Sequence, residues 1–116
     1  MLNLLGARLR LNELARDWRS WSKKIADAAR MLIGPCEVYV FGSVAKGQAT
    51  GASDVDILVV SNRLPKDCKS RGNLKEKIEE KAGLPLYHPF EIHLATGEEA
   101  RESPVYRSAI LEGIAL

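Results

Sequence analysis

Asp54 and Asp56 stand one residue apart at the head of the apolar run Ile57-Leu58-Val59-Val60. On an extended strand alternate side chains face the same way, with Cα atoms about 6.6 Å apart after two strand rises. Such carboxylates can converge on divalent cations spaced roughly 3.5–4 Å, the spacing that two-metal phosphoryl chemistry uses. Mg2+ suits them, because it prefers a few hard carboxylate oxygens and completes its shell with water and substrate phosphates. A third acid, Glu91, lies in Phe90-Glu91-Ile92-His93-Leu94, where alternation puts Glu91 and His93 opposite the apolar side chains. Three crowded carboxylates repel one another unless a cation lies among them. Asp54, Asp56 and Glu91 are therefore the expected metal ligands and catalytic acids.

A second feature lies ten residues ahead of the first acid: the dipeptide Gly42-Ser43, directly after the run Glu37-Val38-Tyr39-Val40-Phe41. Glycine at a strand end lets backbone approach a phosphate with no Cβ in the way. Ser43 then offers a hydroxyl and a backbone N–H at the start of a helical turn, where anions are favoured. Lys46, in the same turn, could add a point charge to a triphosphate, although read by itself it is a solvated side chain. Gly42-Ser43 alone is ordinary turn punctuation and gains meaning only from the acids downstream.

The elements that must position these residues follow from periodicity. Leu14, Trp18, Trp21, Ile25, Ala28 and Leu32 recur at three- and four-residue steps, predicting an amphipathic helix that Asn12 could cap and that residues 2–11 could extend backwards. Gly34-Pro35 ends it. Residues 37–41 predict a strand, and residues 43–53, small and polar, a short helical turn and loop. Residues 55–60 are apolar on both faces after Asp56, as in the centre of a sheet. Leu74, Ile78 and Ala82 predict a helix capped from Asn73 and Glu76 and closed by Gly83. Residues 84–89 read as linker and 90–94 as a third strand. Thr96 and Glu99 form a capping box for a short helix that Pro104 ends. A last helix runs over 105–112, and residues 113–116 suit an edge strand.

The run from Gly42-Ser43 through Asp54-Val55-Asp56 resembles the signature of the polymerase-β-like nucleotidyltransferases: glycine-serine, ten residues, then two acids flanking one residue. In size the chain is similar to their minimal branch, the MNT proteins. The resemblance covers roughly residues 12–95 and implies an α/β (α+β) fold, a small mixed sheet flanked by helices. It implies an enzyme that moves a nucleoside monophosphate, AMP from ATP by default, to a hydroxyl with two Mg2+ ions per site. By the same resemblance Gly42 and Ser43, with Lys46 and Ser53, bind the nucleotide, while Asp54 and Asp56 hold the metals and Glu91 is the third acid. The pattern departs from the family's in two places. Lys46 stands where arginine is common, losing the bidentate fork, and Glu91 stands where aspartate is common. MNT proteins often pair with a helical HEPN protein as antitoxin and toxin, and some adenylylate it. A HEPN-type partner is thus implied as acceptor, or alternatively as a protein that this chain merely masks.

Composition bounds the rest. One domain over residues 1–116 is expected from 116 residues, 46% hydrophobic and 28% charged. A net charge of +2, with 17 basic and 15 acidic residues, gives little support to nucleic acid as partner. No run reaches membrane-spanning length, and Arg8 and Arg10 interrupt the apolar start, so a cytoplasmic protein is expected. Cys36 and Cys68 have no pairing motif and read as inert thiols. His93 reads as a polar rim residue rather than a metal ligand, since no second histidine has ligand spacing, and His88 reads as linker. Trp18 and Trp21 read as core. Leu2, Leu5 and Leu9 suit either core or a partner's surface, and a homo-oligomer is left open.

Overall fold

A computed structural model of the chain describes residues 4–47 and 54–116. Its elements are α1 (Leu4–Arg16), α2 (Trp18–Ile33), β1 (Glu37–Phe41), β2 (Val55–Val60), α3 (Cys68–Lys81), β3 (Phe90–Ala95), α4 (Gly97–Glu102), α5 (Pro104–Glu112) and β4 (Ile114–Ala115). The sheet order is β3-β2-β1-β4, so the strand that is apolar on both faces is central, as expected. β1 and β2 are antiparallel with Phe41 opposite Asp56. β3 runs parallel to β2 with Asp56 opposite Glu91 and Leu58 opposite His93. Parallel neighbours cannot be joined by a tight turn, and α3 supplies the crossover. The edge strand expected near the C-terminal end pairs with β1, Ile114 opposite Val40.

Alternation sorts the strands into two faces, each covered by helices. On one, Val38, Val40, Val55, Ile57, Val59 and Ile92 pack with Ile25, Ala26 and Ala29 of α2 and Ile78 of α3. On the other, Leu58 and Ala95 pack with Ala100 of α4 and Ala109 of α5. The steps of three and four between Ser22, Ile25, Ala26 and Ala29 give α2 its buried stripe. Val55, Ile57, Leu58 and Val59 are all 0% exposed. Each such side chain contributes about 1.5–3 kcal/mol by leaving water. Asp56 therefore rides on the most firmly anchored strand of the sheet.

Two boundaries differ from the sequence expectation. The first long helix is two, broken at Asp17, and Asn12 lies inside α1 rather than capping α2. α3 begins at Cys68, not near Asn73, because Asp67 caps it by accepting from the Ser70 N–H at 2.8 Å. A cap of this kind is worth about 1 kcal/mol, enough to offset the roughly 1 kcal/mol cost of carrying Gly72 inside the helix. Trp18 and Trp21 are only partly buried against the core, with Arg19 over the Trp18 ring and Lys24 over the Trp21 ring.

The Thr96–Glu99 capping box is present, and Glu99 does more than cap. Its two oxygens accept from both terminal nitrogens of Arg71 at 2.8 Å, tying α3 to α4. This fork, with the Thr96 backbone N–H, holds the Glu99 carboxyl down at about 2. A depressed carboxylate contributes stability above its ordinary value of 4.5 and loses it as pH falls toward 2. The pair is partly solvated, so an Arg71→Ala/Glu99→Ala double-mutant cycle is expected to give a coupling of only about 0.5–1 kcal/mol at pH 7. Urea denaturation at pH 7 and pH 3 measures it; an undiminished coupling at pH 3 would contradict the assignment.

Candidate active site

β1 ends at Phe41, and the chain turns at Gly42 with φ +81°. A second constraint is steric: a Cβ on Gly42 would lie 2.6 Å from Asp56 Oδ2. The residue that resembled a phosphate-approach glycine is also the point where backbone passes directly against the second acid. The Lys46 N–H donates to the Gly42 carbonyl and the Gly47 N–H to that of Val44, both at 3.2 Å, so residues 42–47 form the expected helical turn. Buried Val44 pins that turn to the core. Ser43 is half-buried within it, and Lys46 is exposed. Ser53 lies outside the described residues.

Asp56, on β2, and Glu91, directly across on β3, face the same side. His93, two residues beyond Glu91, shares that face, with Nε2 3.4 Å from Asp56 Oδ1. One donor atom each from Asp56, Glu91 and His93 can be chosen so that all lie within 4.8 Å of one another. Asp54 is exposed just ahead of β2 and is not in that tight group. It borders a shallow cleft of about 220 Å³ with Lys75, Glu79, His88 and Glu91.

Burial raises the Asp56 carboxyl above the usual range; His93 opposes this, and the charges of Glu91 and Asp54 add to it. Carboxylates that disfavour each other's ionisation, beside a bare glycine backbone, are what a divalent cation and an anionic phosphate would relieve together. The hard-oxygen donors thus fit the Mg2+-type cation that the sequence implied.

Beside this cluster lies a cavity of about 430 Å³, bounded by Gly42, Ala45 and Lys46 on one side and Val105, Ser108 and Glu112 of α5 on the other. It shares Gly42 with the acid cluster, whose own side chains do not line it.

Sequence reasoning undervalued both histidines. His93 belongs to the cluster rather than its rim, and its alternation with Glu91 was the available signal. His88 is structural: its Nδ1 accepts from the Phe90 N–H at 3.1 Å, while Nε2 meets Glu79 Oε2 at 2.6 Å. It thereby fixes the entry into β3. Nothing in the run Tyr87-His88-Pro89 announces that role.

Comparison with known proteins agrees with this geometry. Residues 22–116 match the family described as nucleotidyltransferase domain. A crystal structure provisionally named a nucleotidyltransferase is 30% identical, with a TM-score of 0.53 over 69% of this chain and 83% of that one. A second, provisionally named likewise and from Sulfolobus solfataricus, shares the fold at 20% identity, with a TM-score of 0.54 over 87% of this chain and 80% of that one. No protein of curated function matches the sequence. With its glycine turn, acid-bearing central strand and parallel third strand in the expected places, the chain belongs to the nucleotidyltransferase domain family of the polymerase-β-like superfamily.

Proposed function

We propose that the chain transfers a nucleoside monophosphate from an NTP, ATP by default, to a hydroxyl of a partner protein of the HEPN type. The observation that carries this reading is the bare Gly42 backbone against Asp56 Oδ2, with Glu91 across the strand. Gly42 and Ser43 would cradle the triphosphate through backbone N–H groups, and Lys46 would hold its outer charge. Asp54, Asp56 and Glu91 would hold the divalent cations. Bound there, the cations would neutralise the charge that develops on the reacting phosphate.

Glu91, exposed on β3, would accept the acceptor hydroxyl's proton. The hydroxyl oxygen attacks the α-phosphorus in line and pyrophosphate leaves with the bonding electrons. Most of the rate then comes from positioning and charge complementarity rather than covalent chemistry.

A protein acceptor is favoured by Leu86 and Tyr87, 88% and 72% exposed immediately ahead of β3 at the acid end of the sheet. Apolar side chains beside a catalytic cluster suit a docked macromolecule better than a free small acceptor. The test supplies α-labelled NTPs and Mg2+ with a HEPN protein encoded beside this chain. Label is expected on that protein, from ATP most readily, and is expected to vanish with Asp56→Ala. Neutralisation of the partner that persists without labelling, and with Asp54→Asn, would replace transfer by masking.

A further inference from the structure

We infer that His93 is itself a cation ligand, and that the site it completes with Asp56 and Glu91 takes a first-row transition ion such as Mn2+ in preference to Mg2+. The inference rests on the cation-dependent transfer proposed above and specifies which ion that site selects.

The spacing supports a shared ion. His93 Nε2 meets Asp56 Oδ1 in a long hydrogen bond of 3.4 Å, wider than the roughly 2.7–2.9 Å of a tight charge-assisted one. It is close to the roughly 3.0 Å that separates adjacent ligand atoms around an ion bound at about 2.1 Å. Glu91 offers a carboxylate oxygen to the same group, one donor atom from each of the three residues lying within 4.8 Å of the others, so a modest inward movement of its side chain would close the site on an ion. Among the described residues, the tight group that joins the two strand acids includes the imidazole and not Asp54.

The imidazole is also oriented as ligating histidines are. The Tyr106 hydroxyl lies 3.3 Å from Nδ1. Phe41 and Tyr106 bracket the ring at centroid distances of 5.3 and 5.7 Å. With the proton on Nδ1, donated to the Tyr106 hydroxyl oxygen, Nε2 is left free to bind a metal. Three oxygen donors would suit Mg2+, whereas an imidazole among carboxylates favours softer divalent ions, in rising order from Mn2+.

The test uses the full chain with Mn2+ alone. Pulsed electron paramagnetic resonance on protein carrying 15N-labelled histidine is expected to show nitrogen directly bonded to manganese, and titration calorimetry at least tenfold tighter binding of Mn2+ than of Mg2+. His93→Gln should abolish the nitrogen coupling and weaken Mn2+ by about 10–100-fold while changing Mg2+ affinity less than threefold. Tyr106→Phe should keep the coupling with up to tenfold weaker binding. The other histidine, His88, is engaged by Glu79 and Phe90 and remains as internal control. Mn2+ bound in an Asp56-dependent way without nitrogen coupling would overturn the inference and leave the transfer reading standing. No Asp56-dependent binding of either ion would overturn both.

Discussion

Replacing Asp56 with Asn is expected to lower nucleotidyl transfer by about 10²–10³-fold or more and, at the same time, to raise the melting temperature of the metal-free protein by roughly 2–5 °C. The two effects have one cause. Asp56 is partly buried beside Glu91 and within the field of Asp54, and its carboxyl is pushed up. A raised carboxyl contributes stability while protonated, fully below its ordinary value of 3.8, and loses it as pH rises through the raised value. At neutral pH the ionised group therefore strains the metal-free fold. Asparagine keeps the shape and removes the charge.

The stability gain of Asp56→Asn should grow as pH rises from about 4 toward neutrality and should disappear when divalent cation is added to the parent. Melting curves in EDTA and in millimolar Mn2+ or Mg2+ measure this. A variant that loses both activity and stability in EDTA would show that Asp56 is held by structural contacts instead.

Gly42→Ala should produce the opposite pairing, loss of activity together with loss of stability. At φ +81° any side chain is strained, and the new Cβ would also meet Asp56 Oδ2 at 2.6 Å. Strain of this kind costs about 1–3 kcal/mol, and a displacement of the carboxylate near 1 Å costs about 10²-fold in rate. A double-mutant cycle separates the contributions. Combining Gly42→Ala with Asp56→Ala removes the contact but leaves the backbone strain, so the destabilisation should be partly relieved. Strict additivity in urea denaturation would mean that the glycine and the acid do not touch.

What the sequence revealed follows the range over which each signal acts. Asp54, Asp56 and Gly42 were legible because spacing and strand alternation are local, and the same alternation put Glu91 on the right face. Central β2, the Thr96–Glu99 box and the edge strand after Gly113 were legible for the same reason. Where α3 starts was not, because an aspartate cap at Asp67 outweighs an interior glycine only by a small margin. The role of His88 depends on Glu79 arriving from another element, and that of His93 on Asp56 arriving from the neighbouring strand. Periodicity carries no information about such meetings. Nor could spacing show that Asp54, the first acid of the motif, stands outside the tight group that Asp56 forms with Glu91 and His93.

The parallel pairing of β2 with β3 also sets when the site can exist. Asp56 and Glu91 are neighbours only because α3 carries the chain around between them. Closing such a crossover costs loop entropy before the strands reward it. Until β3 docks, no cluster is present for an ion to recognise. A cation held by all of these residues would act on a chain that has already found its sheet. At a hundred times its dissociation constant it would hold that state by about 2.7 kcal/mol, expressed as slower escape rather than faster arrival. An ion bound there would lengthen the time the protein spends folded more than it would ease folding.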